Sequence, residues 1–379
     1  MLRHTAAALA ILALAACQSE KSDPAPDKSA AAQPAKPAFV VPMASSDPAP
    51  GQPAPAEDMP RPVMQAQVVL ERLGFAPGII DGKEGLSTRN AVQGFQEANG
   101  IAVSGNFDRA TMQALARWSN IPATRLVTIP DDFAHGPFAP LPKEPAAQAK
   151  LKALGYASLE EKLAERFHTT PEVLRALNAP PVQQPIASSA AVEATRRTPV
   201  IYRAGQQIRV PNVGADAIDP VAVGDQGALE TMASLGVGSN QPKAGRIVVS
   251  EHAGTLKAFD ASNKLVALFT VTTGSEHDPL PLGNWKIYSS SFNPHFRYDA
   301  SLFWDVPDSK GEHLLPPGPN GPVGVVWIDL SKEHYGIHGT PEPQTIGRTE
   351  SHGCVRLTNW DAARLALMVD GATKVSFVR

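Results

Sequence analysis

Apolar positions recur at helical spacing early in the chain. Val68-Val69-Leu70 and Leu73 fall on one face and run out at Gly74, a residue type that closes helices. Ser87 reads as the cap of a second helix carrying Ala91, Val92, Phe95 and Gln96 and stopping at Gly100. Thr111-Met112 and Leu115 begin a third, and the turn-rich stretches Phe75 to Gly82 and Val103 to Asp108 lie between them. Further on, Leu159, Leu163 and Phe167 stand at i, i+4 and i+8, and Thr170-Pro171-Glu172 opens a helix with proline near its first position. Ile208 to Pro211 reads as a short strand. From 245 onward the runs become strand-like: Ile247 to Val249, the alternating Leu256 to Phe259, Leu265 to Val271, Trp285 to Tyr288, Val323 to Ile328 and Lys374 to Val378. Thr358-Asn359-Trp360-Asp361 carries a helix-cap signature, and Gly371 ends the helix that follows.

These patterns predict a multidomain chain. A small three-helix domain covers 61–120, a small α+β segment 150–213, and a mainly β domain with an appended helix 245–379. Residues 121–149 and 214–244 read as linkers. The 36 prolines favour such connectors over one large globule. Residues 17–60, with Asp23-Pro24-Ala25-Pro26-Asp27 and Asp47-Pro48-Ala49-Pro50, form a Pro/Ala-rich tether. About 40 residues at up to roughly 3.1 Å each reach on the order of 100 Å. The net charge of −3 gives no basic footprint for nucleic acid.

Arg3 followed by the apolar run Ala6 to Ala16 predicts a signal peptide over 1–16, too short to span a bilayer. It ends Leu14-Ala15-Ala16-Cys17, similar to a bacterial lipoprotein processing box. That implies export, lipidation of Cys17 and a membrane anchor in the periplasm; Gln18 favours the outer membrane. An ordinary signal peptide with Cys17 a bystander is the plainer alternative. The chain has two cysteines, so Cys354 is the only other thiol, and a lone thiol in an exported protein points to catalysis.

Cys354 sits in Ser351-His352-Gly353-Cys354-Val355-Arg356-Leu357, sixteen residues after His338 in Tyr335-Gly336-Ile337-His338-Gly339-Thr340. A thiol needs a base to become a strong nucleophile, and glycines on both sides let backbone amides approach a reacting carbonyl. The pattern reads as a thiol acyl-transfer site, with the amides of Gly353 and Cys354 as oxyanion donors. In an extended segment His352 and Arg356 share the face of Cys354. Arg356 either holds a substrate carboxylate and lowers the thiol pKa, or makes a structural ion pair. Tyr335 is placed to line the site. A zinc site built from His338, His352 and Cys354 lacks the usual second Cys/His pair. His252, His277 and His295 carry no motif.

The stretch 245–379 resembles the L,D-transpeptidase catalytic domain, the YkuD-like family of peptidoglycan enzymes. His338-Gly339 and Ser351-His352-Gly353-Cys354-Val355-Arg356 carry the signature, with Leu280 to Trp285 and Gly318 to Gly324 around it. The resemblance implies a β-sandwich with an appended helix and needs no cofactor. Cys354 is then the nucleophile and His338 the base, oriented by a carbonyl such as that of Gly339. His352 and Ser351 support the site, and Arg356 and Tyr335 contact substrate. The implied reaction is transfer of a stem tetrapeptide to an amine with loss of D-Ala. Carbapenem-type β-lactams would acylate the same thiol. Hydrolysis of the thioester by water, or a wall-binding lipoprotein without turnover, remain the alternatives. Residues 61–120 resemble peptidoglycan-binding domain 1 through Leu73-Gly74-Phe75, Pro77-Gly78, Asp81-Gly82, Thr88, Ala91-Val92, Phe95-Gln96 and Gly105. Residues 150–213 resemble a LysM module in degenerate form. A helical spacer is the alternative there. Peptidoglycan stem and glycan are thus the expected partners.

Overall fold

Pro62 opens α1 (Pro62–Arg72), where its missing N–H is no loss, and Gly74 at φ +95° closes it. The computed structural model describes residues 59–179, 201–213 and 218–379. The signal peptide, Cys17, nearly all of the tether and the insertion 180–200 lie outside the described residues. α2 (Leu86–Ala98) starts one residue before Ser87, with Gly85 at the N-cap and no side-chain cap. Asp108 caps α3 (Arg109–Leu115) by accepting the Thr111 amide at 2.9 Å.

Two expected linkers are structured. Within 121–149, β1 (Thr124–Thr128) forms a strand, and Ile129 and Phe133 are buried beyond it. It pairs antiparallel with β2 (Gln207–Pro211), Leu126 facing Arg209. Between the two strands run α4 (Leu159–Arg166), capped by Ser158, and α5 (Pro171–Asn178), capped by Thr170. Prolines at 122 and 130 bracket β1, where they cost no ladder hydrogen bond, so a proline-rich stretch still holds a strand. Within 214–244, α6 (Gln226–Leu235) is capped by Asp225 and ended by Gly236 at φ +73°. Its Leu235 is buried in the core of the β region.

That core is built on β3 (Arg246–Ser250), β4 (Thr255–Phe259), β5 (Leu265–Thr270), β6 (Gly283–Phe292), β9 (Val326–Leu330), β10 (Gly336–His338), β11 (Val355–Arg356) and β12 (Lys374–Val378). They form one eight-stranded mixed sheet in the order β11-β10-β9-β6-β12-β3-β4-β5. α7 (Asn359–Met368) packs on it, with Trp360, Ala362, Ala363 and Leu365 in the same core as Ile247, Phe269 and Ile337. β7 (Phe296–Asp299) and β8 (Glu312–Leu315) form a separate hairpin.

The three regions share surfaces that beads on a string would not. Phe75 bridges Leu268 of β5, the Ala76 amide donates to the Leu268 carbonyl at 2.9 Å, and Asn90 of α2 donates to Thr270 at 3.1 Å. Phe75, Ala91, Val92, Phe95, Leu265 and Leu268 form one apolar cluster. A methyl group on Gly94 would stand 2.9 Å from Leu268, so only glycine admits α2 this close to β5.

Candidate active site

Parallel pairing of β10 with β11 sets Ile337 opposite Val355 and His338 opposite Arg356. Ile337 and Val355 are fully buried in the core. Side chains alternate along a strand, so His338, Arg356 and Cys354, the residue leading into β11, project to the other face. Two distant motifs therefore converge because their apolar residues take the core side.

His338 is buried and closely held. Its Nδ1–H donates to the Gly339 carbonyl at 2.7 Å, leaving Nε2 as the open basic nitrogen. The ring stacks on Trp327 of β9, with centroids 5.6 Å apart at 20°. Gly336 makes room for that indole, which would collide with any β-carbon there. Burial first, then the Arg356 charge, push the imidazole pKa down to about 4, against the opposing Gly339 bond.

Cys354 is half-buried, and its Sγ lies 3.8 Å from the His334 carbonyl. Burial raises the thiol pKa, outweighing the Gly336 amide and Arg356, both of which lower it. Both shifts favour uncharged forms, so the resting pair at neutral pH is thiol and imidazole.

Ser351 ties the loop down: its amide donates to Thr273 at 3.0 Å and its hydroxyl to the Cys354 carbonyl at 2.6 Å. Gly353 has φ +92°, and a β-carbon on it would strike the Tyr335 ring. Among the described residues, neither the Gly353 nor the Cys354 amide donates to a recorded acceptor, which suits them to a developing oxyanion. We expect Gly353→Ala to slow acylation of Cys354 at least tenfold, from strain of roughly 1–3 kcal/mol and loss of the Tyr335 contact. Unchanged acylation, followed by mass spectrometry, would show that the bend is not needed.

Arg356 forms no salt bridge among the described residues; its guanidinium donates to the Glu350 carbonyl at 3.4 Å. Tyr335 is half-buried beside Gly353, and burial, then Asp278 and Cys354, raise its phenol pKa. His352 turns to the β7–β8 connection: Nε2 lies 2.7 Å from Asp305 and the ring packs edge-on against Phe303. Its Nδ1 has no hydrogen-bond partner among the described residues. His277, which carried no motif, stacks on the exposed Trp304 at 4.1 Å. Sequence reasoning missed Asp305, Trp304, Trp327 and Asn359. Asn359, fully buried, accepts the Val325 amide at 3.2 Å, and its carboxamide lies where a β-carbon on Gly339 would stand. No local pattern marks these four, since their partners are remote in sequence.

A cysteine and an oriented imidazole on one sheet face, beside free amides, form a site suited to thiol acyl transfer. Residues 244–376 match the L,D-transpeptidase catalytic domain family, and residues 61–115 match a putative peptidoglycan binding domain. The chain thus carries an L,D-transpeptidase catalytic domain behind a peptidoglycan-binding domain.

Relatives include the putative L,D-transpeptidase YkuD of Bacillus licheniformis, 33% identical over 131 residues, covering 35% of this chain and 64% of that protein. YkuD of Bacillus subtilis is 49% identical over 61 residues, covering 16% of this chain and 37% of that protein. The chain therefore spans less than two thirds of either relative's length. Among solved structures, an L,D-transpeptidase from Mycobacterium smegmatis aligns with a TM-score of 0.28 and 17% identity, over 35% of this chain and 58% of that one.

Proposed function

We propose that this protein is a peptidoglycan L,D-transpeptidase working through a Cys354 thioester. The observation that carries the reading is the β10–β11 register, which brings His338 and Cys354 to one face while Gly339 fixes the imidazole tautomer. Cys354 attacks the carbonyl of the third, L-centred residue of a stem tetrapeptide. The thiol proton passes to Nε2 of His338, and the negative oxygen is held by the amides of Gly353 and Cys354. The tetrahedral species collapses, His338 returns the proton to the departing D-Ala amine, and a thioester remains. An acceptor amine attacks the thioester, its proton goes to His338, and the Cys354 sulfur leaves and is reprotonated. The product is a new amide, a cross-link or an attached protein. The amide energy is conserved in the thioester, so no nucleotide enters. Arg356 offers a cation for a substrate carboxylate.

The helices α4 and α5, set between the antiparallel strands β1 and β2 after two short helical turns at Asp131–Ala134 and Pro145–Gln148, support the LysM-like reading of the middle segment and hence glycan contact there. The leader and Cys17 support an exported, lipid-anchored protein of the periplasm, held at the outer membrane. The test of the site is acylation by a carbapenem-type β-lactam. The full-length protein in detergent should gain one adduct mass, mapped to Cys354 by peptide mass spectrometry. No adduct on the wild type would count against the reading.

A further inference from the structure

Asn359, the first residue of α7, packs against the backbone beside His338. Its Oδ1 accepts the Val325 amide at 3.2 Å. A β-carbon on Gly324 or on Gly339 would collide with that oxygen, so the two glycines admit it between the residue run entering β9 and the one leaving β10. The same two runs are joined there by the Gly339 amide, which donates to the Val326 carbonyl at 3.2 Å. Gly339 also supplies the carbonyl that holds Nδ1 of His338. Asn359 thus presses on the residue that fixes the imidazole.

A carboxamide carries an oxygen on one side and an NH₂ group on the other, and its partners decide which way it faces. Nδ2 of Asn359 donates to Glu165 Oε1 at 2.6 Å and to the Pro319 carbonyl at 3.2 Å. A reversed amide would set its NH₂ group against the Val325 N–H and its oxygen against two acceptors. Glu165 lies in the last turn of α4, in the middle segment, 194 positions before Asn359. Its other oxygen accepts the Tyr156 hydroxyl. Burial pushes the Glu165 carboxyl up to about 7, against the bonds from Tyr156 and Asn359, and Glu161 adds to the rise. A carboxyl accepts the Asn359 N–H in either protonation state, so reach matters to this contact more than charge.

The second acceptor is placed by the same segment. The Leu154 amide donates to the Pro317 carbonyl at 2.8 Å, and the Asn320 amide to the Leu154 carbonyl at 3.0 Å. Asn320 Nδ2 donates to the Gly155 carbonyl at 3.0 Å and to Glu161 at 2.7 Å. Gly318, at φ +148°, lets Leu154 in where its backbone would meet any β-carbon. Residues 154–165 therefore hold both groups that orient Asn359.

We propose that Glu165 is a positioning residue for the transpeptidase site, acting through Asn359 and Gly339 on His338. The middle segment then completes the active site, a role separate from any glycan it holds. The proposal rests on the thioester reading above, in which His338 is the base.

The test is the rate of carbapenem acylation of Cys354 in the full-length protein in detergent, followed by mass spectrometry over a range of carbapenem concentrations. Glu165→Asp keeps the charge but falls one methylene short of Asn359, whereas Glu165→Gln keeps the length and an acceptor oxygen. Glu165→Asp is expected to lower the rate at saturating carbapenem by about tenfold or more, with the half-saturating concentration unchanged. Glu165→Gln should stay close to wild type. Tyr156→Phe removes the other bond to the same carboxyl, so its melting temperature should fall without slowing acylation. Asn359→Ser gives up the Glu165 bond from the other side and should reproduce the loss; it stands in for Glu165→Asp if that variant does not fold. Acylation at wild-type rate in Glu165→Asp or Asn359→Ser would overturn the assignment. A rate that merely tracks the loss of folded protein across all four variants would overturn it too, since the contact would then be structural only. No adduct on wild type would overturn the thioester reading itself, and the role of Glu165 with it.

Discussion

His338→Gln is expected to lower the rate of Cys354 acylation by roughly 10²–10⁴-fold, the usual worth of a positioned general base. Glutamine keeps the volume of a side chain that is 4% exposed and stacked on Trp327, so the fold should persist. The effect is expected to be large because burial raises the thiol pKa, so attack needs a base to take its proton. The same electrostatics set the pH dependence. The folded-state imidazole pKa of about 4 lies below the unfolded value near 6.5, so the base stays available down to about pH 4. The acid limb of the acylation profile should fall through about 4 instead of 6.5. Stability follows the same sign. Between those values the unfolded chain binds the extra proton, so folding weakens as pH falls through the window, by up to roughly 3 kcal/mol at and below pH 4. His338→Gln acylating at wild-type rate would remove His338 from the base role, and a limb at pH 6.5 would show that burial does not lower its imidazole pKa.

Arg364→Ala is expected to destabilise all three regions together by about 3–5 kcal/mol. Arg364 of α7 donates to Glu71 of α1 at 2.8 Å, across 293 positions of sequence, and both are buried. Burial raises the Glu71 carboxyl, but Arg364 and then His168 outweigh it and keep it charged. Asp361 lies in the same pocket of charge, its carboxyl raised by burial and by Glu71. Removing the guanidinium leaves Glu71 beside Asp361 with only His168 nearby, at 3.3 Å. His168 in turn stacks on Trp360, whose indole donates to the Glu165 carbonyl, and Asn359 donates to the Glu165 side chain at 2.6 Å. One substitution thus undercuts the contact of α1, α4 and α7. At roughly 2–4 °C per kcal/mol, thermal unfolding should shift down by about 10 °C as a single transition. Separate transitions, with the β region unmoved, would show that the junction is only a contact surface.

The local signals read well in the sequence because their causes are local. Thr170 and Thr358 cap the helices that follow them, and the strands around 247, 257, 267 and 376 stand where apolar runs lie between turn residues. The convergence of His338 and Cys354 was legible only as a paired motif; the register that causes it depends on which face Ile337 and Val355 bury. The strand at 124–128 was hidden because its partner is β2, beyond both helices, and prolines around it read as linker. α6 was hidden by the same reasoning about 214–244. Asp305 meets His352 across 47 positions, and Arg364 meets Glu71 across 293, so neither leaves a periodic trace.

The most direct measurement is mass spectrometry of products from disaccharide-tetrapeptide incubated with the full-length protein in detergent, beside Cys354→Ala. The account predicts a cross-linked dimer lacking one D-Ala, formed by wild type and absent with the variant. A Cys354-dependent tripeptide without dimer would make water the acceptor and the protein a hydrolase. Dimer formation that survives Cys354→Ala would contradict the account at its centre.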